Sequence, residues 1–287
     1  MAFREPIPSL NQTALVPKNC NEIDGRNADG LGFLNELISR FSGSRDNLVL
    51  LLDASRIFGL AEILETYDLE HTCLFSNVSE HGDTAPWLVS IPLDHPFLVA
   101  LFRAPPSLLG IGRNDLWFAE AGLILSTNLE LGLLRKHFRR FTKVTDTQGK
   151  AYLFRFWEPA TALAYFDNIK NDADLVCRWF IPREGGQNEA IAFPQPVREQ
   201  VSLIEMQGAT NASRAPLGAF SLSQTDVDVM KRARTANMVA QIAHTARQSF
   251  PNAVDGNDVE ALAWAAVMQA AEYGIRHLEN VFVCLAW

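Results

Sequence analysis

Six histidines, four cysteines and a scatter of carboxylates are the raw material for chemistry in this 287-residue sequence, and few of them stand at spacings that chemistry uses. His71 and His81 flank a polar loop. Together with Asp53 or Cys73 they offer imidazole, carboxylate and thiolate, the usual parts of a nucleophilic or metal site. Histidines on the surface of a polar loop are the commoner arrangement, so a hydrolase built on Asp53, His71 and His81 stands as an alternative and not as the main reading. Asp53 and Arg56 close an apolar run, at the end of which α/β sheets often place ligand-contacting groups. The structural counterpart weighs more: Asp53 caps the following helix and is neutralised by Arg56 or Arg155. The group Arg135-Lys136-His137-Arg139-Arg140 could hold an acidic partner, although a solvated helix face explains it with less. His137 and His244 fall on helices and are expected on their polar faces.

Other signatures are missing. There is no G-x-S-x-G elbow, H-E-x-x-H pair, P-loop or G-x-G-x-x-G after a strand, and Gly110-Ile111-Gly112 is too short to stand for one. Cys20, Cys73, Cys177 and Cys284 are far apart with no C-x-x-C spacing, which reads as free, mostly buried thiols. The expectation is a non-enzyme with no catalytic residue, no metal and no cofactor. A net charge of −8 and a pI near 5.3 argue against a general nucleic-acid or anionic-membrane surface, while 48% hydrophobic and 10% aromatic residues can fill a core. Charges and prolines interrupt the first twenty residues, where a signal peptide needs an apolar segment, and no stretch reaches the ~18 apolar residues of a membrane span. A cytoplasmic protein is expected.

The elements that must position these residues suggest an α/β amino-terminal lobe with a mixed sheet and an all-α carboxy-terminal lobe. Residues 1–30 read as an extended or disordered lead-in, 31–206 as the α/β lobe, 207–221 as a linker rich in small and polar residues, and 222–287 as the helical lobe. Asn47 to Asp53 is a continuous apolar run closed by a carboxylate, the pattern of a central strand covered on both faces of a mixed or parallel sheet. Helices are predicted over 31–41, 57–67, 95–104 and 129–141, and a strand over 85–91. Residues 69–83 read as loop and 116–126 as a strand or a pair. Leu175 to Ile181 and Glu189 to Phe193 suggest a hairpin.

Asp146 to Gly149 predicts a tight turn between two strands, and the second strand runs into Glu158-Pro159 and a helix. Alternation along that strand puts Arg155 between Leu153 and Trp157, so Arg155 is expected to be buried and paired with Asp53 or Glu158. Ser223 to Asp226 resembles a capping box opening a long helix to about Phe250. Its stripe of Val227, Met230, Met238, Ile242 and Ala246 is interrupted by Arg234 and Gln241. An alanine-rich helix follows from Asp258 to Tyr273, where small side chains permit close approach.

Four motifs carry a family resemblance: Leu52-Asp53-Ala54-Ser55-Arg56, Ala85-Pro86-Trp87-Leu88-Val89, Gly122 to Ser126 with Leu131-Gly132-Leu133-Leu134-Arg135, and Phe154-Arg155-Phe156-Trp157-Glu158-Pro159. In their order and spacing, residues Leu48 to Ile169 resemble the adaptor (chaperone) family of bacterial type VI secretion, whose members load an effector onto the VgrG spike. Glu158 departs mildly from the aromatic-Asp-Pro corner common in that family and keeps the carboxylate. The resemblance implies a non-catalytic protein with an α/β lobe and a helical lobe, whose partners are a type VI effector and VgrG; beside the hydrolase, a purely structural or immunity-type binding protein is the other alternative. Asp53, Arg56, Trp87, Arg135, Arg155, Trp157, Glu158 and Arg234 are the structural or partner-binding candidates.

Overall fold

A computed structural model describes residues 7–15, 30–41, 47–103, 116–117, 119–146, 148–208, 218–249 and 258–275. In chain order the elements are β1 (Ser9–Leu15), α1 (Leu31–Phe41), β2 (Asn47–Asp53), α2 (Leu60–Thr66), β3 (Glu70–Cys73), α3 (Val78–His81), β4 (Pro86–Pro92), α4 (Pro96–Phe102), β5 (Gly122–Thr127), α5 (Leu131–Thr142), β6 (Lys143–Asp146) and β7 (Ala151–Leu153). Then follow α6 (Pro159–Ile169), α7 (Ala173–Phe180), β8 (Asn188–Gln195), β9 (Gln200–Gln207), β10 (Ser221–Leu222), α8 (Gln224–Ser249) and α9 (Val259–Glu272). The chain divides into two compact units, Met1–Asp226 and Val227–Trp287. That division falls within α8, beyond the predicted linker, whose residues 209–217 lie outside the described ones.

Seven strands form the main sheet of the first unit in the order β1-β9-β8-β5-β2-β4-β3. The apolar run Leu48–Leu52 puts β2 in its interior, buried on both faces as its composition predicts. Both neighbours, β4 and β5, run antiparallel to it, and the parallel pairing in this unit is instead that of β10 with β6 in a small sheet ordered β10-β6-β7. Leu48, Leu50 and Leu52 share a core with α1, α2 and α4. Val49 and Leu51 alternate to the opposite face, where α5, α6 and α7 pack. Gly122 is required where β5 meets β2: its φ is +153°, and a Cβ there would lie 2.0 Å from the Leu51 carbonyl oxygen.

Local signals explain most of the boundaries. His95 Nδ1 accepts from Phe97 N to cap α4, Pro96 and Pro159 occupy first turns, and Gly149 turns the β6–β7 hairpin while Asp146 Oδ1 accepts from the amides of Gln148 and Lys150. The α8 capping box is reciprocal: Asp226 N donates to Ser223 Oγ at 3.1 Å, and Ser223 N donates to Asp226 Oδ2 at 2.8 Å.

Several expectations fail. Leu175–Ile181 is not a strand: Asp172 caps a helix there by accepting from Leu175 N, and Val176, Cys177, Trp179 and Phe180 point inward at helical spacing. The hairpin in that region is β8–β9. Residues 69–83 hold β3 and α3 and are not merely loop. The lead-in is extended at 9–15 and is built into the sheet as β1, antiparallel to β9.

In the second unit, Val239, Ile242 and Ala243 of α8 pack with Val259, Ala263, Val267 and Ala270 of α9, so the alanines serve the close approach their size allows. Arg234 is exposed on α8.

Candidate functional site

β2 delivers Asp53 to the end of the sheet interior, where it is 1% exposed. Burying a carboxylate this deeply requires partners for both oxygens. Asp53 Oδ1 accepts from the amide and hydroxyl of Ser55 at 3.0 and 2.7 Å, and Oδ2 accepts from Arg155 Nη2 at 2.6 Å. The same Nη2 donates to Ser55 Oγ at 3.2 Å. Arg155 Nε stands 2.7 Å from Glu158 Oε1, an ion-pair approach whose angle falls outside hydrogen-bond geometry. One guanidinium thus answers two carboxylates, one from the end of β2 and one from the corner before α6.

Arg155 is paired as expected, but its side chain is 34% exposed and not buried. The reason is local. β7 ends at Leu153, which is itself 51% exposed, and the chain then turns, so strand alternation does not extend to 155 and 157. Phe154, Phe156 and Trp157 all go inward. The Trp157 ring stands edge-on to Phe75 at 6.2 Å and 5.8 Å from the Arg155 guanidinium carbon.

Asp53 caps a turn to Ser55 and not helix α2, which begins only at Leu60. Arg56 does not neutralise it, since Arg56 Nη1 donates to the Ala119 carbonyl at 2.8 Å. Trp87 is buried and donates from Nε1 to Gly82 O, and Arg135 ties α5 to the end of β3 by donating from Nε to Cys73 O at 2.6 Å. The other cations of that basic helix are also engaged. Lys136 and Arg140 both reach Glu184 at 2.8 Å, which holds the Glu184 carboxyl down at about 2, chiefly through Lys136.

His71, His81 and Asp53 are not brought together. In the register of the sheet Asp53 lies opposite Pro86 and His71 opposite Val89, on strands either side of β4, which separates their Cα atoms by about 14 Å. His71 Nδ1 is 2.6 Å from Leu69 O, and His81 is exposed beside Glu80. His137 overturns its polar-face expectation. It is fully buried, its Nε2 donates to Trp179 O at 2.7 Å, and burial pushes its pKa down to about 4. His244 on α8 is half-buried. Cys73 and Cys177 are free, buried thiols whose pKa burial raises; Cys20 and Cys284 lie outside the described residues. Among the described residues no three His, Cys, Asp or Glu side chains group as a metal site would, and no helix is long and apolar enough to cross a membrane.

Sequence reasoning missed Ser55, whose Asp-x-Ser spacing is a usable turn signal. It also missed Trp179, Arg178, Arg183 and Phe220, which converge around the end of α5 from distant parts of the chain and leave no local pattern. Residues 48–173 match a family described as a domain of unknown function (DUF4123). No curated protein and no solved structure matches the chain.

Proposed function

We propose that this protein is a non-catalytic adaptor that binds a type VI secretion effector and helps load it onto the VgrG spike. What carries the reading is a coincidence of intervals. The adaptor-like motifs run from Leu48 to Ile169, and the segment matching the DUF4123 family runs from 48 to 173. Within it, the adaptor-like motifs at Asp53–Arg56 and Phe154–Pro159 meet through the Asp53–Arg155–Glu158 pairs, which makes these residues a structural clasp for a binding lobe. The acidic, globular character of the chain is compatible with work in the cytoplasm, before secretion.

An escort stabilises its client by mass action. In a strain lacking this protein, the cognate effector is expected to be less soluble and less secreted, and the tagged protein is expected to co-purify with that effector and with VgrG. Normal effector solubility and secretion in the deletion strain would count against the role. A His71→Ala and His81→Ala double variant leaves the clasp intact and is expected to deliver cargo normally. Failed delivery by a folded, cargo-binding double variant would turn attention to chemistry at those histidines.

A further inference from the structure

A cleft of about 400 Å³ opens where the end of α5, the start of β6, the end of α7 and residues 218–220 converge, all within the first unit. Its wall carries Arg140, Lys143, Arg178 and Arg183, and its floor includes Phe141 and Phe220. Arg178 Nη1 and Arg183 Nη2 both donate to the Gly218 carbonyl oxygen, at 3.1 and 3.0 Å. Two cations therefore share one neutral acceptor, although each guanidinium has five N–H donors to satisfy. Among the described residues, no carboxylate forms an ion pair with Arg178, Arg183 or Lys143. Among the described residues Glu184 answers Arg140 and the neighbouring Lys136.

Cations at helix C-termini are ordinarily explained by the helix dipole. That accounts for Arg140 at the end of α5 and Arg178 at the end of α7. It reaches as well to Lys143, the residue that caps the C-terminus of α5 as it opens β6; it does not account for Arg183, which stands in a loop two residues beyond the cap of α7. Nor does composition, because the chain as a whole carries −8. The two rings are packed into the fold: Phe141 stacks on Trp179 with ring centroids 3.8 Å apart, and Phe220 stands edge-on to Phe141 at 5.2 Å. A preformed apolar floor under uncompensated cations suits a ligand that offers carboxylates alongside carbon.

We propose that this cleft docks an acidic segment of the effector, held by Lys143, Arg178 and Arg183 over Phe220. The identity of that partner rests on the adaptor reading above; the carboxylate chemistry does not. The test uses fluorescence anisotropy of a labelled oligo-glutamate peptide on the full chain, with oligo-glutamine as the neutral control. Binding is expected for oligo-glutamate alone, weakening with added salt and falling about tenfold or more in Lys143→Glu and Arg183→Gln. Lys143 is exposed and its side chain forms no hydrogen bond or ion pair among the described residues, so its reversal keeps the test independent of folding.

No binding, or binding by the two variants as tight as by the unaltered protein, overturns the proposal. So does equal displacement by citrate, which would make the cleft a small-anion site, or tighter cleft-dependent binding of a short single-stranded DNA. Co-purification separates the two readings. Undiminished effector capture by Lys143→Glu overturns the cleft and leaves the adaptor standing. Cleft-dependent peptide binding by a protein that captures no effector removes the adaptor reading and supports the carboxylate site.

Discussion

The first unit holds two charged constellations that look alike in sequence, each an arginine group near aromatic rings, and they are wired in opposite ways. At the Asp53–Arg155–Glu158 clasp, one guanidinium serves two carboxylates, and the deeper carboxylate has both oxygens occupied. At the cleft beside α5, two guanidiniums serve one carbonyl, and a lysine next to them has no carboxylate among the described residues. The first arrangement is closed: each of its charges has a partner of opposite sign within the fold, and disturbing one strands another. The second is open, with charge left over for something outside. Residue type does not separate a structural arginine from a recognition arginine. The inventory of acceptors around it does.

Substitutions can break or sharpen that contrast. The largest effect is expected at Gly122, the neighbour of Ala121, whose carbonyl receives the Asp53 amide at 2.7 Å. Gly122→Ala would drive a methyl into the Leu51 carbonyl and is expected to cost about 4 kcal/mol or more, read as loss of a folded transition in urea. Next comes Arg155→Ala, which leaves Asp53 buried with only Ser55 and is expected to cost about 3 kcal/mol in chemical denaturation. A loss under about 1 kcal/mol would place the clasp among ordinary surface pairs and erase the contrast.

A smaller, pH-dependent effect belongs to His137, the uncharged base on the helix that runs toward the cleft. Its folded pKa lies below its ordinary value, so the unfolded chain takes up the proton first. Stability is therefore full above about 6.5 and is lost as pH falls toward about 4. About 2 kcal/mol is expected to go between pH 7 and pH 5. His137→Gln should flatten that slope in urea melts at the two pH values, whatever it does to stability at pH 7; an unchanged slope would assign the acid sensitivity elsewhere. Smallest of all is Lys143→Glu, expected to alter stability by less than about 0.5 kcal/mol because the residue is exposed on the open constellation. A larger loss by thermal or urea melt would mean that the cleft is closed structure after all.

Sequence made the clasp legible in part. The apolar run ending in Asp53 and the Glu158-Pro159 corner are local signals that supply the two carboxylates, while the pairing of Arg155 is read from the alternation along its strand. Its exposure does not follow from period-two alternation, because the hydrogen-bonded strand stops at Leu153. Helix α7 reads as a strand because Val176, Trp179 and Phe180 favour strands, whereas the signal that decides is Asp172, a cap three residues before Leu175. His137 looked polar because it sits among arginines, yet it faces the Trp179 carbonyl from another helix, and such tertiary contacts leave no periodic trace. The cleft was invisible for the same reason: its parts come from positions 140–145, 178–183 and 218–220 and meet only in the folded chain.

The pairing of β1 with β9 joins residues roughly 190 positions apart. Strands β2, β3 and β4 are neighbours in sequence and can associate as soon as residue 92 has been made, but the outer edge of the sheet cannot close until residue 207 exists. Contacts of such separation form slowly because a long loop must close before they contribute. During synthesis the segment Ser9–Leu15 therefore emerges before the other strands of its sheet and finds its place among the last, its amide and carbonyl groups waiting for a partner strand made about 190 residues later.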